Sequence, residues 1–378
     1  MAKNNAEIET KTKVHEPLFQ IVKRDAMPWY EAWLVRAAAI ILALAIGSIV
    51  IILLTGYNPI QVYSAMFNGA FGSTRKIWIT FQDLAMLLCI SLAVTPAFKM
   101  RFWNIGAEGQ TLIGGLTAAA CMIYLGDKLP LYLTIPVMTA SCIISGMIWA
   151  VIPAFFKAKF NTNETLFTLM MNYVAMQLVS FCIVFWENPK DSNSVGVINR
   201  HTHGGWLPEI ADQKYLLNII IVAVIMIAMY IYLKYSKQGY EISVVGESEN
   251  TARYIGINVK KVIVRTMAIS GALCGIAGLM IVAGTDHTIT SDSVGGMGFT
   301  AIMVSWLAKF NPIGMALTSF LIVFLEVGAG AIVTDPKLGL NGSVADILTG
   351  IILFFIIGSE FFVTYKINRR RNSGKEEA

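Results

Sequence analysis

Runs of about 20 apolar residues, the length an α-helix needs to cross a hydrocarbon core roughly 30 Å thick, recur along this chain and constrain its fold more than any other feature. They fall at about 34–55, 77–98, 105–125, 130–156, 165–186, 216–234, 262–284, 298–309, 312–333 and 344–362. Inside a bilayer each backbone polar group must find its partner within the segment, so the runs read as helices. The fold class is therefore all-α: a polytopic transmembrane helical bundle of about ten spans. The run at 298–309 is too short to cross unaided at ~1.5 Å per residue, which makes it a half-helix or a tilted, buried segment. Composition agrees, since 56% of the residues are apolar and only 14% charged, against roughly 25% charged in soluble domains. An ordinary water-soluble enzyme is excluded.

Orientation follows from the basic residues, which sit mainly between the runs. With the N-terminus inside, 22 of the 29 Lys and Arg residues fall on the inner side and 7 on the outer side. Both termini are thus expected in the cytoplasm, and the net charge of +5 reads as a topology signal, with no nucleic-acid partner implied. The expected domains are a cytoplasmic segment over 1–33, a transmembrane domain over 34–362 and a basic cytoplasmic tail over 363–378. No cleavable leader pattern opens the chain, so the first span is expected to act as an uncleaved anchor. Before it, Pro17–Arg36 interleaves Leu18, Phe19, Ile21, Trp29, Tyr30 and Trp33 with Lys23, Arg24 and Arg36. That pattern suits either an interfacial amphipathic helix or an aromatic belt. Ten spans divide into two sets of five, and an odd number per half would invert one half against the other. Gly106-Ala107-Glu108-Gly109 and Gly295-Gly296-Met297-Gly298 open spans entering from opposite faces, as inverted repeats would.

No G-x-x-x-x-G-K-[ST] phosphate loop and no H-E-x-x-H occur, so neither ATP cradling nor zinc hydrolysis of those kinds is encoded. No cofactor or metal is expected in this chain. Cys89, Cys121, Cys142, Cys182 and Cys274 all lie within the apolar runs without C-x-x-C spacing and read as packing residues. His15, His201, His203 and His287 lie in tails or outer loops.

Polar residues inside the runs carry the functional signal, because each costs free energy unless paired or wet. Asn104, Glu108 and Gln110 cluster at the inner end of the third span. Glu108 either complements its own helix dipole or lines a pathway. In the fifth span, Asn161, Thr162 or Asn163 can cap the helix. Glu164, Thr168 and Asn172 then recur every fourth residue, a stripe serving either a pathway or interhelical hydrogen bonds. Asp83 and Glu326 are intramembrane carboxylates suited to a hydroxyl-rich or nitrogenous solute, or to a cation. Gly271 and Gly275 form a small-xxx-small packing face. On the cytoplasmic side, Gly246 precedes Glu247-Ser248-Glu249 and Gly256 follows Tyr254, the outline of a short capped helix that a motor subunit could grip. The outer segment 187–214 is polar and rich in turn signals, fit for a docking role or a plain connection.

At these residues a resemblance appears. Trp103-Asn104-Ile105-Gly106-Ala107-Glu108-Gly109-Gln110 resembles the signature of the ABC-importer permeases for simple sugars, nucleosides and branched-chain amino acids, nearest the nucleoside branch. Asn163-Glu164-Thr165-Leu166, Thr168-Leu169-Met170-Met171-Asn172-Tyr173 and Ser270-Gly271-Ala272-Leu273 are similar to further motifs of that family. Gly246, Glu247, Asn250, Ala252, Tyr254 and Gly256 resemble its ATPase-coupling loop, with Glu249-Asn250-Thr251 departing from the pattern. Trp306-Leu307-Ala308-Lys309 stands where the family usually has a small apolar run. The resemblance implies a multi-pass permease of the cell membrane that is not itself an enzyme. It implies three partners: an ATP-binding cassette ATPase, a second permease and an extracytoplasmic solute-binding protein. Asp83, Asn104, Glu108, Gln110, Glu164, Thr168, Asn172 and Glu326 are then the pathway candidates. A gradient-driven secondary transporter using Asp83 or Glu326 is the alternative reading.

Overall fold

A computed structural model describes residues 19–24 and 27–369 of the protein. The segments 1–18 and 370–378 lie outside the described residues, and with them His15, Pro17, Leu18 and most of the basic tail. The elements in order are β1 (Phe19–Lys23), α1 (Trp29–Thr55), α2 (Pro59–Phe71), α3 (Thr74–Lys99), α4 (Ala107–Leu125), α5 (Leu131–Phe160) and α6 (Glu164–Trp186). There follow α7 (Leu216–Tyr235), α8 (Lys237–Glu247), α9 (Glu249–Tyr254), α10 (Val259–Ile281), α11 (Met297–Leu307), α12 (Pro312–Thr334), α13 (Gly342–Thr364) and β2 (Tyr365–Arg369). Every expected span has a helix at its place. Among the described residues, eight helices are long and apolar enough to cross a membrane, while α4 and the short α11 fall below that standard.

Two compact units emerge. One holds the chain up to Gly56 together with residues from Asp346 onward. In it β1 pairs antiparallel with β2, Phe19 opposite Arg369 and Lys23 opposite Tyr365. Residues 19–23 are therefore a strand, so the amphipathic helix that is one of two readings of Pro17–Arg36 does not run through them, and the first helix to start, at Trp29, is the first span. Sequence pattern misses this because so short a strand is defined by its distant partner. Arg36 Nε and Nη2 both donate to Glu360 Oε1, at 2.8 and 2.5 Å, neutralising the charges of two apolar helices.

The second unit, Tyr57–Ala345, carries the candidate site. Its helices start where polar side chains accept the orphan backbone N–H groups of the first turn. Asn58, Ser73, Asn163, Ser236, Ser248, Asn258 and Asn311 each cap the helix that follows. Asn163 is thus the cap of α6, while Asn161 closes α5 in the left-handed conformation. Helix α2 escapes the apolar-run criterion because it is short and amphipathic, with Gln61, Ser64 and Asn68 among its residues. Its Phe67 and Phe71 pack on Phe320 and Phe324 of α12.

At the centre lies α10, with 72% of its apolar window buried against 22% for α5 and α7. The glycines expected to allow close packing do so. A Cβ on Gly271 would collide with the carbonyl of Gly146 on α5 and one on Gly275 with that of Cys142, and Gly278, outside the expected pair, likewise meets the carbonyl of Thr111 on α4. Without side chains at these points α10 sits directly against both neighbours, where dispersion and backbone contacts replace the hydrophobic effect as the force joining helices in lipid.

Candidate functional site

Two helix N-termini meet inside the second unit. The irregular segment Arg101–Gly106 leaves the C-terminal end of α3, and α4 starts at Ala107. Elsewhere, α10 runs into a π-helical turn at Val282–Asp286, and non-helical backbone then leads to α11. Glu108, only 3% exposed, sits in the first turn of α4. Its Oε1 accepts from Gly296 N at 2.9 Å and its Oε2 from Gly298 N at 2.7 Å. A Cβ on Gly298 would lie 2.6 Å from Glu108 Cα, so glycine is required for this approach. Each helix N-terminus carries roughly half a positive charge. One carboxylate therefore joins two positive ends that would otherwise repel. Glu108 stands in the first turn of its own helix, but the backbone N–H groups its carboxylate accepts belong to the start of α11.

A second set of polar side chains holds the approach to α4. Gln110 Nε2 donates to Asn104 Oδ1 at 3.0 Å, and Asn104 Nδ2 donates to Gln110 Oε1 and Ser270 Oγ, each at 3.3 Å. Asn172 Oδ1 accepts from Gly109 N at 2.9 Å while its Nδ2 donates to Ile105 O at 2.9 Å. Thr168 Oγ1 accepts from Ile105 N at 3.2 Å. The stripe on α6 thus clamps the irregular turn before α4, with Thr168 and Asn172 fully buried. Glu164 stands apart from them, paired with Lys157 at 2.9 Å.

Asp83 and Glu326 belong to a third group. Glu326 is exposed and Asp83 half-buried, and Asp83 lies within electrostatic range of both Glu326 and the exposed Asp286. Beside them Gln82 Nε2 donates to Thr285 Oγ1 at 2.6 Å and Asn218 Nδ2 to Gln82 Oε1 at 3.3 Å. Sequence reasoning misses Gln82, Asn218 and Ser270, although lone polar groups inside apolar runs are the signal that could have found them.

The outer segment 187–214 is pinned by stacked rings. Trp206 lies 4.2 Å from His203 and 3.6 Å from His287, nearly parallel to both. Ile198 N donates to His287 O at 2.8 Å. His287 is 5% exposed, and neither ring nitrogen has a hydrogen-bond partner among the described residues. Burial, then Lys214, then His203 push its pKa down to about 4.

Residues 76–357 match the family described as the permease component of branched-chain amino acid transport systems. This chain belongs to that permease family. It is 30% identical to the guanosine ABC transporter permease protein NupP of Bacillus subtilis over 90% of this chain and 97% of that protein. It is 29% identical to the nucleoside ABC transporter permease protein NupB of Lactococcus lactis, covering 85% and 90%. A glucose ABC transporter permease protein of Haloferax volcanii is 26% identical, covering 95% and 97%. The chain is accordingly a multi-pass cell-membrane permease of the ABC importer type, a transport component rather than an enzyme.

The permease's coupling candidates lie on α8 and α9. Ser248 opens α9, so Gly246 is not the start of that helix but lies within α8. There it packs on the carbonyl of Lys99, where a Cβ would clash. Ala252 is fully buried in a cluster with Ala97, Phe102, Ile242 and Val245. Glu247, Asn250 and Gly256 are exposed, and Tyr254 is 93% exposed beside the half-exposed Ile255. Gly256 closes the element at φ +86°, a conformation glycine adopts without cost. One face of α9 is thus anchored and the other presents an aromatic knob.

Proposed function

We propose that this permease translocates nucleosides, working with an ATP-binding cassette ATPase, a second, homologous permease subunit and an extracytoplasmic solute-binding protein. One observation carries the pathway. Residues 290–292 and 295 are non-helical, polar or glycine, and exposed, immediately before α11. Irregular backbone at membrane depth is tolerated only where protein buries it or water reaches it. Exposure rules out burial within this chain, and we read this segment as lining a water-filled path, with Glu108 at its end.

Asp83 and Glu326 then face the solute as acceptors for its hydroxyl and amino groups. Asn104, Gln110, Thr168 and Asn172 hold the geometry around Glu108, and the Lys157–Glu164 pair ties α5 to α6. The sequence carries no phosphate loop, and energy enters through the α8–α9 element, where Glu247, Asn250, Tyr254 and Gly256 are exposed to a partner while the buried Gly246 and Ala252 anchor it. Under this scheme both termini are cytoplasmic, as the distribution of basic residues favours. Closure of the ATPase would shift the permease between outward and inward states by contacting α8 and α9 differently. Nucleosides are favoured by the guanosine and nucleoside permeases among the relatives.

The test is uptake of labelled guanosine by vesicles containing the intact importer. ATP-dependent uptake that vanishes with the ATPase supports the reading. Uptake that follows a proton or sodium gradient without ATP would replace it with a secondary transporter.

A further inference from the structure

Helix α11 has two clean faces. Gly298, Ala301, Val304 and Ser305 are buried, whereas Phe299 and Trp306 are 42% and 47% exposed and lie two helical turns apart on the opposite side. That exposed side continues directly from the polar segment 290–296, which water must reach. On that continuity, and under the nucleoside-permease reading above, this side of α11 faces the same path. At its far end Trp306 stacks on Trp103, with ring centroids 5.5 Å apart and planes inclined by 30°. Trp103 is 46% exposed. Phe98 meets both rings edge-on, at 5.9 and 6.1 Å, and Phe310 meets Trp306 edge-on at 5.6 Å. These edges fix the two indoles while leaving nearly half of each open. The pair also sits at the inner end, because Phe102, next to Trp103, is buried in the cluster that anchors α8 and α9.

We propose that Trp103 and Trp306 form an aromatic station at the inner end of the solute path, on which the planar ring of the solute stacks before release. The proposal rests on the nucleoside reading and names its recognition element, the nucleobase rather than the ribose. Ring stacking suits such a station because every base has a π-face, and each stack contributes ~1–3 kcal/mol in nucleic-acid complexes.

The test uses cells lacking this chain and complemented with the intact protein or its variants, at matched membrane abundance. Uptake of guanosine and of uridine is measured. Trp306→Leu should lower guanosine uptake about tenfold and uridine uptake less, since the larger ring stacks more strongly, and Trp306→Phe should restore most of both. Equal uptake by Trp306→Leu and wild type, or equal failure of the Leu and Phe variants, would overturn the station. A second measurement needs no solute. In the reconstituted chain, the fluorescence lost on Trp306→Phe should be quenched by aqueous iodide and spared by brominated lipid. Quenching by the lipid overturns the proposal. If wild-type cells import neither nucleoside, the nucleoside reading falls, and the iodide and lipid arms still decide whether the pair faces the path.

Discussion

Two groups of polar side chains sit in the apolar body of the permease, and their surroundings differ. Around the entry to α4, Asn104, Gln110, Thr168, Asn172 and Ser270 are all buried and spend their hydrogen bonds on one another or on the backbone. Elsewhere, Asp83, Asp286 and Glu326 are partly or fully exposed and lie within electrostatic range of one another, with Lys214 the cation beside Asp286. The first arrangement fixes a backbone path. The second is a surface that still requires something to meet it. Polarity within an apolar run therefore does not identify a transport site by itself; satisfaction and exposure separate the bracing from the path. Glu108 is buried and fully engaged like the first group, yet it stands where the exposed non-helical segment before α11 ends.

The comparison breaks most severely if the buried group can be removed without loss of fold. Asn172→Leu strips the partner from Gly109 N and from Ile105 O, and each orphaned backbone group costs about 1–3 kcal/mol. We expect a loss of ~4 kcal/mol from the two together, read as a collapse in the yield of monodisperse protein in detergent. Normal yield with normal uptake would make the clamp dispensable. Glu108→Gln comes next. The amide keeps one acceptor but points an N–H at Gly296 or Gly298, costing about 2 kcal/mol. Thermal stability should fall modestly while uptake falls at least tenfold, because the α4–α11 junction loses its bridging charge. Stability lost without any change in uptake would return Glu108 to the bracing group.

Asp83→Asn and Glu326→Gln sharpen the other side. Among the described residues neither side chain has a bonded partner to lose of the kind Asn172 has. Unfolding free energy should therefore match wild type to within about 0.5 kcal/mol, the spread usual for surface changes. Uptake should fall severalfold in each variant and further in the double variant. Wild-type uptake kinetics in all three would remove the carboxylates from the path.

Sequence pattern reaches the helices and part of this division. The ten apolar runs, the Asn163 cap, the Gly271–Gly275 face and the short α11 are local facts, set by periodicity, cap chemistry and length. The two glycine runs are legible as opposed entries. Their contact through Glu108 is not, because Gly296 and Gly298 lie far along the chain from it and only packing brings them there. Helix α2 and strand β1 escape for the same reason: each is short and is stabilised by a remote element. The Trp206 stack joins His203 to His287 from opposite sides of α7, α8, α9 and α10 in the chain, and no spacing rule predicts it.

That stack supplies the smallest expected effect and a test of the outer segment. His287 keeps a pKa of about 4 in the folded protein against an ordinary value near 6.5 for an exposed histidine. A lowered pKa means that the folded state favours the neutral ring. The stabilisation is complete above the ordinary value, declines as pH falls through the window from about 6.5 to 4, and is exhausted below it. Because the ring is part of a local contact, the change should appear as local opening. Amide exchange at Ile198 and Leu207, whose N–H groups bond to His287 O and Ala283 O, should accelerate between pH 7 and pH 4.5 after correction for intrinsic rates. His287→Phe keeps a ring against Trp206 and removes the proton, so its corrected exchange should be flat across that range. An identical pH response in the variant would assign the opening to other groups and leave the stack as packing alone.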